Sequence, residues 1–242
     1  MQNMAKANMK RFQITRLRLL PLLLLGALLA AGLPAKAQNA SPNLGDFKTS
    51  GIDGADKGSE AARLLGKIEA YLNGIDTITA RYAQLASNGA YAEGMLHLDR
   101  PGKMRFEYDA PHPIVMISDG DVLFYYDRDL EEATRIDVEQ TPIWFLLREQ
   151  VSFDQPLRIV ELKRRGGTVL VSLVEEDKLD QGTVTLQFNE NPLSLQRWQI
   201  VDAQGMIIQI TLLDPRFNDP IPDKAFDFSE YTLPLSGSAS DR

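Results

Sequence analysis

The chain has 242 residues, 44% hydrophobic and 24% charged, with 17 Gly, 13 Pro and no Cys. That size and balance fit one ordinary globular domain. The missing Cys excludes a disulfide framework, a thiolate metal site, a cysteine nucleophile and a lipid-modified cysteine. His97 and His112 are the only histidines, and the net charge is −7, so neither a metal, another cofactor nor nucleic acid is expected.

Charge is spread unevenly. Lys6, Lys10, Arg11, Arg16 and Arg18 form a basic start, a 15-residue apolar run from Leu19 to Leu33 follows, and Ala35-Lys36-Ala37 precedes Gln38. Basic end, apolar middle and small-residue site are the parts of a secretory signal, with cleavage expected after Ala37. A membrane anchor is the alternative, but the run holds Pro21 and is shorter than the roughly 20 apolar residues of a spanning helix. Lys10-Arg11 falls short of a twin-arginine signal, which favours the general secretory route. Residues 1–37 carry six bases and no acids; the 205 residues after them carry 20 bases and 33 acids, a net charge of −13. An acidic exported protein without cysteines is expected, and a Gram-negative periplasm is its simplest destination.

Residues 38–58 are polar and read as a flexible leader, and 232–242 as a flexible tail, which leaves 59–231 as the folded domain. Ser59 caps a predicted helix to about Leu72, with Leu64, Leu65, Ile68, Tyr71, Leu72 and Ile75 at helical spacing and Asn73-Gly74 as its stop. The pattern then switches to period two. Met104, Phe106 and Tyr108 alternate with Lys103, Arg105 and Glu107. Strands over 114–118 and 122–126 flank Asp119-Gly120, a hairpin signal in which both turn residues take positive φ. Further strands are predicted over 157–162, 168–174, 183–188, 195–201 and 206–213, separated by polar turns. This is a mainly β, α+β chain: an antiparallel meander of about nine to eleven strands led by one helix.

Thr141-Pro142 reads as a helix start, followed by Ile143-Trp144-Phe145-Leu146-Leu147. A two-turn helix cannot turn five large apolar residues toward one core. Either both faces are covered, or one face meets something that is not always there.

Catalytic motifs are absent: there is no Gly-x-Ser-x-Gly, His-Glu-x-x-His, phosphate-binding glycine loop or Ser-x-x-Lys. Asp119 and Asp121 read as turn residues, and Asp127, Asp129, Glu131 and Glu132 as a solvated acidic loop, so an enzyme is not expected. A sheet this long curls. Its concave face is filled by side chains, plugged by helices or occupied by a ligand. Met104, Met116 and Met206 suit a cavity for flexible chains as well as an ordinary core.

The ordered set Ala80-Arg81-Tyr82-Ala83-Gln84, Gly94-Met95-Leu96-His97-Leu98, Arg100-Pro101-Gly102-Lys103-Met104-Arg105-Phe106, Tyr108-x-x-Pro111, Ser118-Asp119-Gly120, Leu123-Phe124-Tyr125-Tyr126-Asp127 and Thr141-Pro142 resembles the LolA family of periplasmic outer-membrane lipoprotein carriers. The resemblance covers about 60–231. It implies a curled, incomplete antiparallel barrel with an apolar concave face and a helical lid. It also implies a chaperone that takes acylated lipoproteins from an inner-membrane ABC transporter, shields their acyl chains across the periplasm and passes them to an outer-membrane receptor if one is present. By the same resemblance Met104 and Phe106 line the acyl-chain cavity, and Tyr82, Tyr108, Met116 and Phe124 are expected to line it with them. The resemblance gives Ile143 and Leu146 as lid positions and Arg100 as the residue that holds the lid closed by bonding lid backbone; Trp144 and Leu147, in the same apolar segment, are expected in the lid as well. Tyr82 stands where the family usually has Phe, and Met104 where it often has an aromatic. A monomer is expected. A related half-barrel for another lipid or for regulation, a periplasmic hydrolase and a dry structural β domain are the competing readings; the receptor of similar fold needs an acylated Cys, which this chain lacks.

Overall fold

The structure is a computed structural model and describes residues 60–231 except 155. The signal segment, the leader, the Ser59 cap and the tail lie outside the described residues. Helix α1 (Glu60–Asn73) carries Glu60 in its first turn, where negative charge complements the helix dipole, and buries Ile68 and Leu72. It stops at Asn73-Gly74: the Gly74 N–H donates to the carbonyls of Ala70 and Tyr71 at 3.0 and 3.2 Å.

Two meanders follow. The first runs β1 (Thr77–Ala86), β2 (Tyr91–Asp99), β3 (Lys103–Tyr108), β4 (Ile114–Asp119), β5 (Val122–Asp127) and β6 (Glu132–Asp137); the second runs β7 (Leu157–Arg165), β8 (Thr168–Glu175), β9 (Gly182–Glu190), β10 (Leu193–Asp202) and β11 (Ile207–Phe217). β1 pairs antiparallel with β11, with Tyr82 opposite Leu212, which zips the meanders into one 11-stranded sheet. The free edges are β6 and β7, so the barrel is not closed. These edges are consecutive in sequence, and the chain between them includes single 3-10 turns over Val138–Gln140 and Trp144–Leu147.

Alternation in β1, β2 and β3 turns every second residue into the core and the others outward. Register shifts between Thr79 and Arg81, Ile159 and Glu161, and Leu195 and Arg197 add local bends that help the sheet curl. Gly94 is required by packing: a Cβ there would lie 2.1 Å from the Glu107 carbonyl oxygen and 2.5 Å from the Tyr82 hydroxyl. Its absence lets the Tyr82 ring cross β2.

β4 is buried from Ile114 through Ser118 because both faces are covered, one by the concave core and one by the chain after β11. That terminal segment has short turns over Asp223–Phe226 and Ser229–Tyr231 and packs Phe226, Phe228 and Tyr231 on the convex side.

Two local expectations are corrected. In the β4–β5 turn only Gly120 takes positive φ (130°), while Asp119 closes β4 and its Oδ1 accepts from the N–H groups of Asp121 and Val122. The acidic loop is shorter than expected: Asp127 Oδ1 accepts from the N–H groups of Asp129 and Leu130, but Glu132 already begins β6. β6 is an exposed edge bearing Glu132, Arg135 and Asp137, and charge on an edge strand discourages pairing with another chain.

Candidate functional site

The concave face carries one continuous apolar core, covered by α1 and by the segment between β6 and β7. Tyr82 meets Phe106 and Tyr108 edge to face, with ring centroids 5.1 and 5.6 Å apart, and Phe106 meets Trp198 at 6.3 Å. Packing leaves small lobes, of which two lie along the line from Met104 to Trp198 and the end of α1. The first, with about 30 Å³ of free space, is lined by Met104, Phe106, Tyr108, Met116, Ile143 and Trp198, among others. The second, about 20 Å³, lies under the end of α1 and is lined by Leu72, Leu98, Arg100, Leu146, Val151 and Trp198, among others. Neither holds more than about one water, so this is a closed state.

Tyr108 and Gln84 are the polar pair at the floor of the first lobe: the Tyr108 hydroxyl donates to Gln84 Oε1 at 2.7 Å. Burial pushes the Tyr82 and Tyr108 phenols well above their ordinary range, and pushes Tyr125 up to about 12, with the Asp127 charge adding to the last.

The cover is two pieces laced together. Asn73 Nδ2 donates to the Val151 carbonyl at 2.9 Å, the Val151 N–H returns to Asn73 Oδ1 at 2.7 Å, and the Phe153 N–H donates to Glu69 Oε1 at 2.7 Å. On the sheet side, the Gly102 N–H donates to the Leu147 carbonyl at 2.8 Å. Across the open side, Trp144 Nε1 donates to Glu175 Oε2 at 3.3 Å, and the Arg148 guanidinium sits 5.5 Å from the Trp144 ring centroid. Lys178 pairs with Glu175 at 2.9 Å. Beside Trp144 an open groove of about 900 Å³ is lined by Asp119, Asp121, Asp137, Glu139, Glu175 and Lys178, among others.

Of the six residues expected in the cavity, Met104, Phe106, Tyr108 and Met116 line the first lobe, and Tyr82 stands behind them, fully buried. Phe124 is a correction. It points to the convex side, stacked on Phe228 with centroids 3.9 Å apart, while its neighbours Leu123 and Tyr125 turn inward. In β5 both parities are apolar or aromatic, so period two alone cannot choose the face. Met206 follows the ordinary-core alternative: it precedes β11, packs partly buried against the core with its sulfur 3.2 Å from the Ser87 hydroxyl, and lines neither lobe.

The expected lid residues divide between surfaces. Ile143 faces the first lobe and Leu146 the second, Leu147 is buried beside the groove, and Trp144 is half-buried. Both faces of the apolar segment are therefore covered here. Arg100 is a second correction. Its Nη2 donates to the carbonyls of Leu72 and Ile75, at the C-terminal end of α1, and not to the 143–147 segment. A cation there complements the helix dipole. Burial lowers the Arg100 pKa and the Asp76 charge works against that. Trp198, Gln84, Ile200 and Ile210 line the first lobe and were not among the expected residues. The available signal was the Leu195, Trp198, Ile200 spacing, which departs from period two at the bulge in β10.

These features define the class: a lidded antiparallel half-barrel with an apolar concave face. The sequence model of the family described as "Outer membrane lipoprotein carrier protein LolA" matches residues 73–229, and the chain belongs to that family. An outer-membrane lipoprotein carrier protein of Pseudomonas paraeruginosa is 30% identical over 183 residues, covering 72% of this chain and 85% of its own. Its namesake in Chromobacterium violaceum is 27% identical over 178 residues, covering 69% and 84%. Among solved structures, a LolA superfamily protein of Nitrosomonas europaea aligns with a TM-score of 0.42 at 13% identity, covering 69% of this chain and 99% of that one.

Proposed function

We propose that this protein is a non-enzymatic periplasmic carrier that shelters the acyl chains of lipoproteins under its lid. It would take them from an inner-membrane ABC transporter and give them up at the outer membrane. On this reading residues 1–37 are a cleaved export signal, 59–231 form the carrier domain and the acidic surface keeps the loaded carrier soluble. The observation that carries the proposal is the apolar concave face, from Met104 and Phe106 to Trp198, closed by a cover held by a few polar contacts.

Energetics favour a lid over an open trough. Each buried acyl methylene gains about 0.8 kcal/mol, so a fully sheltered lipoprotein would be held too tightly to release. Ile143, Phe145, Leu146 and Leu147 are already buried in the closed state. Exposing them costs roughly 6–12 kcal/mol at about 1.5–3 kcal/mol per side chain, which offsets the burial of roughly 8–15 methylenes. The ligand competes with the lid for the same face, and release is driven by the lid returning.

Native mass spectrometry of the gently purified protein tests this. Co-purified acylated species, or uptake of a fluorescent acyl probe, is expected. An empty protein that binds no such probe would make the concave face a dry core.

A further inference from the structure

The core satisfies nearly all of its polar groups: Tyr108 reaches Gln84, Ser172 and Thr185 share a bond at 2.9 Å, and the Tyr71 hydroxyl accepts the Leu195 N–H at 3.0 Å. Three buried groups are exceptions among the described residues: the Tyr82 hydroxyl, behind the first lobe, and one donor on each of two residues that line the second. The indole Nε1 of Trp198, a residue only 2% exposed, has no acceptor there, and neither does the buried Nη1 of Arg100. Both residues line the lobe beneath α1, whose other walls are aliphatic, and Trp198 lines the first lobe as well. A buried donor without an acceptor is costly, and native cores rarely keep one. The lobe offers donors only, so a partner that completes it brings an acceptor.

Resting on the carrier reading, we propose that this second lobe is an acyl-carbonyl subsite, in which Trp198 Nε1 and Arg100 Nη1 bind the carbonyl oxygen of an acyl group. The hydrocarbon then passes Trp198 into the Met104–Met116 lobe. The charge of Arg100 already faces Asp76 and the two carbonyls ending α1, which favours a neutral ester or amide oxygen over a carboxylate. The subsite fixes which end of the chain enters first, a choice that an unbroken apolar trough leaves open.

The test uses three competitors of a fluorescent acyl probe with equal chains: methyl laurate, methyl dodecyl ether, which lacks the carbonyl, and laurate. Wild type is expected to prefer the ester to the ether by about three- to tenfold, the value of one hydrogen bond. Trp198→Phe leaves the Arg100 donor in place and is expected to narrow that preference at least twofold, by weakening ester binding more than ether binding. A laurate preference over the ester would make a free fatty acid the source of the oxygen. Equal losses for ester and ether in Trp198→Phe, or an unaltered preference, would overturn the subsite and leave the indole as a plain apolar wall. Binding of none of the three by wild type would overturn the carrier reading itself. Infrared spectra of carbonyl-labelled ester give a second readout: a lowered stretch is expected in wild type and a smaller lowering in Trp198→Phe, whose fold is checked by thermal unfolding. An identical stretch in both proteins would also overturn the subsite.

Discussion

The two faces of this sheet are covered by similar means and to different ends. On the convex side Phe124 stacks on Phe228, Arg105 and Arg128 each lie 5.9 Å from the Tyr231 ring, Arg105 pairs with Glu107 at 2.8 Å and Lys103 with Asp223 at 2.8 Å. On the concave side the cover is tied mainly at its ends, by Asn73, Gly102 and Trp144, and it roofs two lobes with unmet donors. The convex cover is a finished surface, with its aromatic and charged groups matched. The concave one is complete in apolar contact and incomplete in polar contact, as suits a cover that exchanges with another occupant.

Substitution can break this contrast. The largest effect is expected from Phe106→Ala, which empties the centre of the concave cluster: unfolding free energy falls by about 3–5 kcal/mol in denaturant titrations, and acyl-probe binding goes with it. Arg100→Leu comes next, removing charged hydrogen bonds to the end of α1, for a loss of about 1.5–3 kcal/mol. Because those bonds favour the closed state, the variant is expected still to take up cargo, with a reduced ester-over-ether preference, and to release it slowly; normal transfer to outer-membrane vesicles would break the assignment. Phe228→Ala strips the convex stack and costs about 1–2 kcal/mol of stability while probe affinity stays unchanged. Any loss of binding there would blur the two faces. Trp144→Phe removes one hydrogen bond across the mouth and is expected to cost about 1 kcal/mol or less, read as faster amide exchange over 143–147.

Acid should loosen the convex side. Burial alone would raise the Glu107 carboxyl, but hydrogen bonds from Arg105 and Arg128 outweigh it and hold the pKa below the ordinary carboxylate value. With the folded pKa below the unfolded one, the stabilisation is complete above the ordinary value and is lost as pH falls through the lowered one. Glu107→Gln is expected to flatten the acid limb of a stability titration and to leave probe binding at neutral pH unaltered.

Much of the architecture was legible because its signals are local. Period two set the inward side of β3, the Asn73-Gly74 stop ended α1, and turn residues separated the later strands. The inward face was legible where alternation was clean, at Met104, Phe106 and Tyr108. It was misread at Phe124, where Leu-Phe-Tyr-Tyr is apolar on both parities and the deciding partner, Phe228, is about a hundred residues away. Trp198 was missed because the β10 bulge resets the period just before it. Arg100 was recognised but matched to the wrong part of the cover, since no spacing rule says which of two elements ends at a given guanidinium.

The position of the lid segment between the two free edges has a mechanical consequence. Residues 138–156 join β6 directly to β7, and none of the described residues among them belongs to a strand ladder. Fully extended, 19 residues reach roughly 65 Å, so this stretch can swing aside without unzipping any strand. Anchored at both margins, it stays with the sheet however far it swings. The molecule is thus a purse whose flap is sewn along two hems: it can open widely, and the thread that closes it is never lost.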